Sequence, residues 1–162
     1  MLNSVKYWFR WIKWYVITIW YYLHGLAKVR LPDDLEDPDT NNVEVIWTKP
    51  LGKGLFRIEN VPFGGPVDLH DIVRCQDFPN DFPLVIELVS KSGNHALRVE
   101  FERDTTAEQA VDVIMELKER RVFYERSGRR VYMFNVEPSG DLQVIRAYLQ
   151  SKEDDGLLRL LD

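Results

Sequence analysis

The hydrophobic period switches from two to 3.6 and back along this chain, and those switches dictate the order of its elements. From Val43 to Glu102 apolar residues recur at spacing two in short runs, with turn formers between them. Val43 to Thr48 alternates and is β-branched. Pro50-Leu-Gly-Lys-Gly54 turns it into Leu55 to Glu59, a hairpin pattern. Asp71 to Gln76, Leu84 to Ser90 and Ala96 to Glu102 read as three more strands. Five short strands so spaced predict a small antiparallel β-barrel-like layer.

Past Glu102 the period becomes 3.6. Ala110, Val113, Ile114 and Leu117 form one apolar stripe, after Thr105 or Thr106 as cap. Val122 to Glu125, Ser127-Gly128 and Val131 to Val136 then make a second hairpin. Ser139 or Asp141 caps a second helix with Leu142, Ile145 and Leu149 inward, and Leu157 to Leu161 is a final strand. Counted from Ala96 the order is β-α-β-β-α-β, a ferredoxin-like arrangement with two helices on one face of a four-stranded sheet. The expected fold is thus α+β, with the strand from Ala96 shared by both layers. The expected core is Trp47, Phe56, Val61, Phe63, Ile72, Ile86, Val99, Ile114, Leu117, Val131, Phe134, Ile145 and Leu149.

The first thirty residues differ from the body. They hold five cations and no acid, whereas the rest holds 16 basic and 26 acidic side chains. Four of the five tryptophans, Trp8, Trp11, Trp14 and Trp20, lie here. A helix over about Val5 to Leu23 would put Lys6, Arg10 and Lys13 on one stripe with aromatics on the other faces. Such a segment packs on its own body, joins a second copy, or lies on an anionic membrane surface. Lys6, Trp8, Trp11, Lys13, Trp14 and Trp20 would make that contact. Its uncharged run, Trp14 to Leu23, is too short to span a bilayer, which needs about 20 apolar residues. Leu31 to Asn42 is acidic and rich in turn formers, so it reads as a linker. The expected division is therefore 1–30, 31–42, 43–95 and 96–162.

Several motifs resemble a known family as a set. Glu44-Val-Ile-Trp47, Pro50-Leu-Gly, Phe56-Arg-Ile-Glu-Asn-Val-Pro-Phe63, Asp71-Ile-Val73 and Ser92-Gly-Asn-His-Ala-Leu-Arg98 follow in order. Over about residues 43–162 the chain resembles a family of small bacterial proteins, domain of unknown function 4265. Members often have glycine before the aspartate of the D-x-V strand, where this chain has His70. The resemblance implies a bacterial or phage source and implies no activity.

Chemistry-bearing patterns are sparse. His24, His70 and His95 are far apart, no metal-ligand spacing occurs, and no cofactor is expected. Cys75 is the only cysteine; it excludes an internal disulfide, fits a reducing cytoplasm, and reads as a small buried hydrophobe. Asn60-Val-Pro-Phe63 reads as structural, with Phe63 plugging the barrel. Ser92, Gly93, Asn94 and His95 read as a tight hairpin that exposes polar groups. Arg98 follows, with Glu100 or Glu87 as expected partner. Arg126, Arg129 and Arg130 mark a basic hairpin. These residues are the candidate binding surface. The net charge of −5 argues against nucleic acid as partner.

The leading expectation is a non-enzymatic binding protein of immunity, antitoxin or other inhibitor type, whose partner is a toxin or a second copy. The alternative is a cytoplasmic protein held peripherally at the inner membrane by residues 1–30. An unrecognised enzyme or a weak RNA binder ranks third.

Overall fold

The computed structural model of the protein describes residues 23–36 and 42–161. The expected helix over Val5 to Leu23, and with it Lys6, Trp8, Trp11, Lys13, Trp14 and Trp20, lies outside the described residues but for Leu23.

Five strands close a barrel in the order β1 (Ala27–Pro32), β2 (Val43–Gly52), β3 (Leu55–Ile58), β4 (Ile72–Gln76) and β5 (Leu84–Ser90). Neighbours along the chain pair antiparallel, and β1 meets β5 in parallel at Arg30 and Leu84. The Arg30 amide donates to the Pro83 carbonyl at 2.8 Å to complete the closure. Register shifts at Pro50/Gly52 and within β4–β5 bend the strands around so small a circumference. Val29, Leu31, Ile46, Ile58, Val73 and Val85 fill the interior.

The fifth barrel strand is therefore β1, and the sequence division needs correction there. Ala27–Arg30 belongs to the barrel, not to an N-terminal helix, and Leu31 and Pro32 are buried strand residues, not linker. Val29 and Leu31 point inward while Lys28 and Arg30 point out, an alternation that Val43 to Thr48 pairs with directly. The strand from Ala96 is not shared with the barrel.

A second sheet has the order β7 (Phe123–Ser127), β8 (Val131–Val136), β6 (His95–Phe101) and β9 (Leu158–Leu160), all antiparallel. Helices α1 (Ala107–Glu119) and α2 (Leu142–Asp154) cover one face of it. Val113, Ile114 and Leu117 of α1 and Ile145 and Leu149 of α2 pack on Leu97, Val99, Phe101 and Phe134. Thr106 caps α1 in a reciprocal box with Gln109, and Asp141 caps α2. Thr105 instead donates to the Leu157 carbonyl at 2.5 Å. The other sheet face meets the barrel through Val61, Leu69 and Met133. The described residues are thus α+β: a five-stranded barrel, a second sheet and two helices.

Most of the expected core is buried, with instructive exceptions. On β2 the more apolar phase, Val43, Val45 and Trp47, faces outward, with Trp47 half-buried, and Ile46 and Thr48 point inward. Thr48 can be buried because its hydroxyl donates to the Ala27 carbonyl at 3.0 Å. Trp47 is covered from outside by the Lys28 ammonium, 4.8 Å from its ring centroid. On β4 the inward residues are Val73 and Cys75, and Ile72 is half-buried. Phe63 does not plug the barrel; it is exposed, as is Ile86, and Val61 takes the buried place in that loop.

Candidate binding site at the seam of barrel and sheet

The stretch from Ser90 to His95 is not a hairpin. It carries the chain from barrel to sheet, and its strands β5 and β6 do not pair. Gly93 has φ +85°, and a side chain there would meet Pro138 at 3.2 Å, so glycine is required on both counts. Ser92 and Asn94 are spent on structure. The Ser92 hydroxyl donates to the Leu69 carbonyl at 2.7 Å, and accepts from the Asn94 amide and side chain at 3.1 Å each. Asn94 is buried and accepts from the Asn135 side chain at 2.8 Å.

Beneath this crossing lies Asp71, wholly buried at the start of β4. Its carboxylate accepts from the Asp68 amide at 2.9 Å and the Ser92 amide at 2.7 Å, and pairs with the Lys91 ammonium at 3.1 Å. Asp68 accepts from the Ala96 amide at 3.0 Å and from Lys91 at 3.2 Å. Burial alone would pull the Lys91 pKa down; its bonds to Asp71 and Asp68 outweigh that and raise it. His70, just before Asp71, stands at φ +65° with its amide donating to the Ile58 carbonyl. A glycine would take that conformation without the Cβ clash.

A second clamp holds residues 60–64. The Asn60 side chain accepts from the Trp47 amide at 2.7 Å. Glu44 of β2 accepts from the Phe63 and Gly64 amides at 2.8 and 3.3 Å, and Glu125 of β7 accepts from the Val61 amide at 3.0 Å. Burial pushes both carboxyls above the usual range against the effect of these bonds. For Glu44 the Arg98 charge also opposes the rise.

Between the two clamps opens a cleft of about 400 Å³. Gly65, Pro66 and Asp68 form one wall, His95 and Arg98 of β6 another, and Leu142 and Arg146 of α2 a third. Arg98 pairs with neither expected carboxylate: Glu100 holds Arg130 and Arg159 at 3.1 and 2.9 Å, and Glu87 holds Arg74 at 2.8 Å. The Arg98 Nε is buried and has no hydrogen-bond partner.

The predicted binding surface therefore divides in two. His95 and Arg98 share the cleft at the start of β6. Arg126, Arg129 and Arg130 gather at the β7–β8 turn, beside the far end of β6. There Arg126 donates to the Gly128 and Arg129 carbonyls at 2.8 Å each and lies over Tyr132, and Arg130 donates to the Phe101 carbonyl. Arg126 thus braces its own turn, and Arg130 ties that turn to β6. Sequence reasoning did not find Lys91, Glu44, Glu125 or Arg146. Asp68 and Asp71 carry a local signal, two acids three apart just before a strand.

Among the described residues, no group of three or more His, Cys, Asp or Glu side chains is placed to hold a metal ion, and no helix is long and apolar enough to cross a membrane. Cys75 is buried, and burial with the nearby Asp77 charge pushes its thiol up to about 12, so it is held as an unreactive thiol.

These features define a small α+β protein whose barrel and sheet are locked by buried carboxylates and an Asn–Ser network. The chain belongs to the family described as a domain of unknown function (DUF4265), whose model matches residues 44–160. It is also similar in structure to a hypothetical protein from Neisseria gonorrhoeae known from a crystal structure. The TM-score is 0.67 at 19% identity, over 83% of this chain and 92% of the other. No curated protein matches the chain significantly. The segments that carried the family resemblance, around Glu44, Asn60, Asp71 and Ser92 to Arg98, are the ones that meet at this seam.

Proposed function

We propose that this is a non-enzymatic bacterial or phage binding protein, of immunity, antitoxin or other inhibitor type, and that its partner engages the seam cleft beside His95 and Arg98. The observation that carries the reading is the Arg98 Nε, buried without a partner at the edge of an open cleft. At the seam Asp68, Asp71, Ser92 and Asn94 all bond within the protein, while the buried Asn135 Oδ1, away from the cleft lining, also has no partner. The strand order of β6 to β9, with both helices on one face, supports a ferredoxin-like reading of that half. This fold hosts many functions and carries no argument for one. The test is capture of a partner by the full chain from extract of its host, followed by titration of that partner against wild type and Arg98→Gln. At least a tenfold loss of affinity is expected, since truncating a buried charged contact costs about 2–5 kcal/mol. Equal affinity of the two proteins, or turnover of a substrate by the purified chain, would refute the reading.

A second reading is favoured by a cation–aromatic patch on the barrel. Lys28 lies over Trp47 and Phe82, at 4.8 and 5.8 Å, and Arg30 over Phe78 at 4.9 Å. Phe78 and Phe82 are exposed. Rings beside cations suit the headgroup level of a membrane, and the patch sits on β1, close in sequence to the aromatic first segment. Vesicles of anionic phospholipid should then bind the full chain and lose it when residues 1–22 are removed. The deletion must stop short of Ala27, because β1 closes the barrel.

A further inference from the structure

We propose that the seam cleft binds an oxyanion, the phosphate or carboxylate group of a small ligand, on the guanidinium of Arg98. The proposal rests on the reading of this cleft as the binding site and adds the chemistry of what enters it.

The argument is an accounting of charge. A guanidinium stays protonated, so its Nε–H is always a donor in need of an acceptor. Here that donor is buried and unmet. No neighbouring carboxylate accepts from that Nε–H. Glu44 feels the Arg98 charge, yet its Oε2 already takes the amides of Phe63 and Gly64. Asp68, on the opposite wall, gives one oxygen to the Ala96 amide and the other to Lys91. The Glu100 oxygens are taken by Arg130 and Arg159. Among the described residues the Arg98 Nε–H therefore has no acceptor, and a ligand oxygen can serve as one.

The surroundings select its sign and size. The cleft is lined by the Arg98 cation, and His95 lies at its exposed rim. The one acid of the lining, Asp68, is matched by Lys91. Gly65 contributes no side chain to the wall it forms. About 400 Å³ is room for a small molecule, at the low end of ligand pockets. A group with two oxygens on one edge meets the guanidinium fork in two parallel hydrogen bonds, which a halide cannot do. Phosphate and carboxylate share that edge.

The test uses the full, isotopically labelled chain and follows the Arg98 Nε–H resonance by NMR. Inorganic phosphate and acetate are titrated separately, with chloride at matched ionic strength as control. Arg98→Lys assigns the resonance, since it keeps the charge and removes the Nε–H. A saturable shift with phosphate alone supports a phosphate ligand, with acetate alone a carboxylate, and with both the shared chemistry. Arg98→Gln should weaken that binding about tenfold or more, as loss of a charged, bidentate contact does. If Arg98→Gln does not fold, Arg98→Lys serves in its place and should weaken binding as well, because it loses the guanidinium fork. Arg129→Gln should leave binding unchanged. No saturable shift with either anion, or shifts confined to Arg126, Arg129 and Arg130, would overturn the proposal. A captured protein partner that still depends on Arg98 would in that case leave the functional reading standing. An anion response without any partner would do the reverse.

Discussion

Replacing Asp71 by alanine tests the mechanical role of the seam. The carboxylate is wholly buried, and its loss strands the amides of Asp68 and Ser92. A buried donor left without an acceptor costs about 1–3 kcal/mol. Two such donors give a loss of about 3–5 kcal/mol, in the range seen when one partner of a buried charged pair is removed. Lys91 adds little, because its side chain is half exposed and keeps both Asp68 and the Pro66 carbonyl. Asp71→Asn retains one acceptor and turns an amide group toward the other donor, so about 2 kcal/mol is expected. Lys91→Ala should cost less than about 1 kcal/mol. Urea unfolding followed by far-ultraviolet circular dichroism measures all three, with the midpoint moving at constant slope. A loss below about 1 kcal/mol for Asp71→Ala, or a Lys91→Ala loss equal to it, would refute the assignment of the energy to the two amides.

His70→Gly should stay within about 1 kcal/mol of wild type, because relief of the left-handed conformation offsets the added chain entropy, while His70→Val should lose about 1–2 kcal/mol; thermal unfolding of the pair decides it. The Cys75 thiol should resist an aromatic disulfide reagent at pH 8 in the folded protein and react fully in denaturant, and rapid labelling of folded protein would contradict its burial. Glu44 and Glu125 carry pKa values raised on folding, so the folded chain holds these protons more tightly than the unfolded one. Their ionisation therefore costs stability above the folded pKa, and that cost fades as pH falls through it toward 4.5. Glu44→Gln, which keeps the acceptor for Phe63 and Gly64, should be more stable than wild type near pH 7, with the advantage shrinking on acidification. Denaturation midpoints between pH 7 and 4.5 check the sign, and an advantage that grows with acid would reverse it.

The second half of the molecule was more legible in the sequence than the first. Helices α1 and α2 show one apolar stripe each, and the Ser127-Gly128 turn marks its hairpin, because these signals are local. The barrel hides its phase. In Val43 to Thr48 the apolar phase, Val43, Val45 and Trp47, faces outward, and Thr48 can take the inward phase because its hydroxyl bonds to Ala27. On β4 the buried Asp71 shares a face with Val73 and Cys75, and a charge there argues for the wrong face when its two amide partners are unseen. Strand β1 carries its own alternation in Ala27–Pro32, but the basic, aromatic segment beside it masks that signal. His95 and Arg98 stood out in Ser92 to Arg98. Lys91, Glu44, Glu125 and Arg146 did not, because they converge only when barrel and sheet come together.

The chain crosses from barrel to sheet once, between Ser90 and His95, and never returns. All five barrel strands are thus complete before the first sheet strand leaves the ribosome. During synthesis the barrel can close on its own, with β1 and β5 as its last pairing. Val61 and Leu69 then face water until Met133 arrives, about forty residues after Ser90 ends the last barrel strand. The same arrangement makes the chain a candidate for cutting at Gly93: two fragments, each holding every strand of its own sheet, would rejoin through the seam alone.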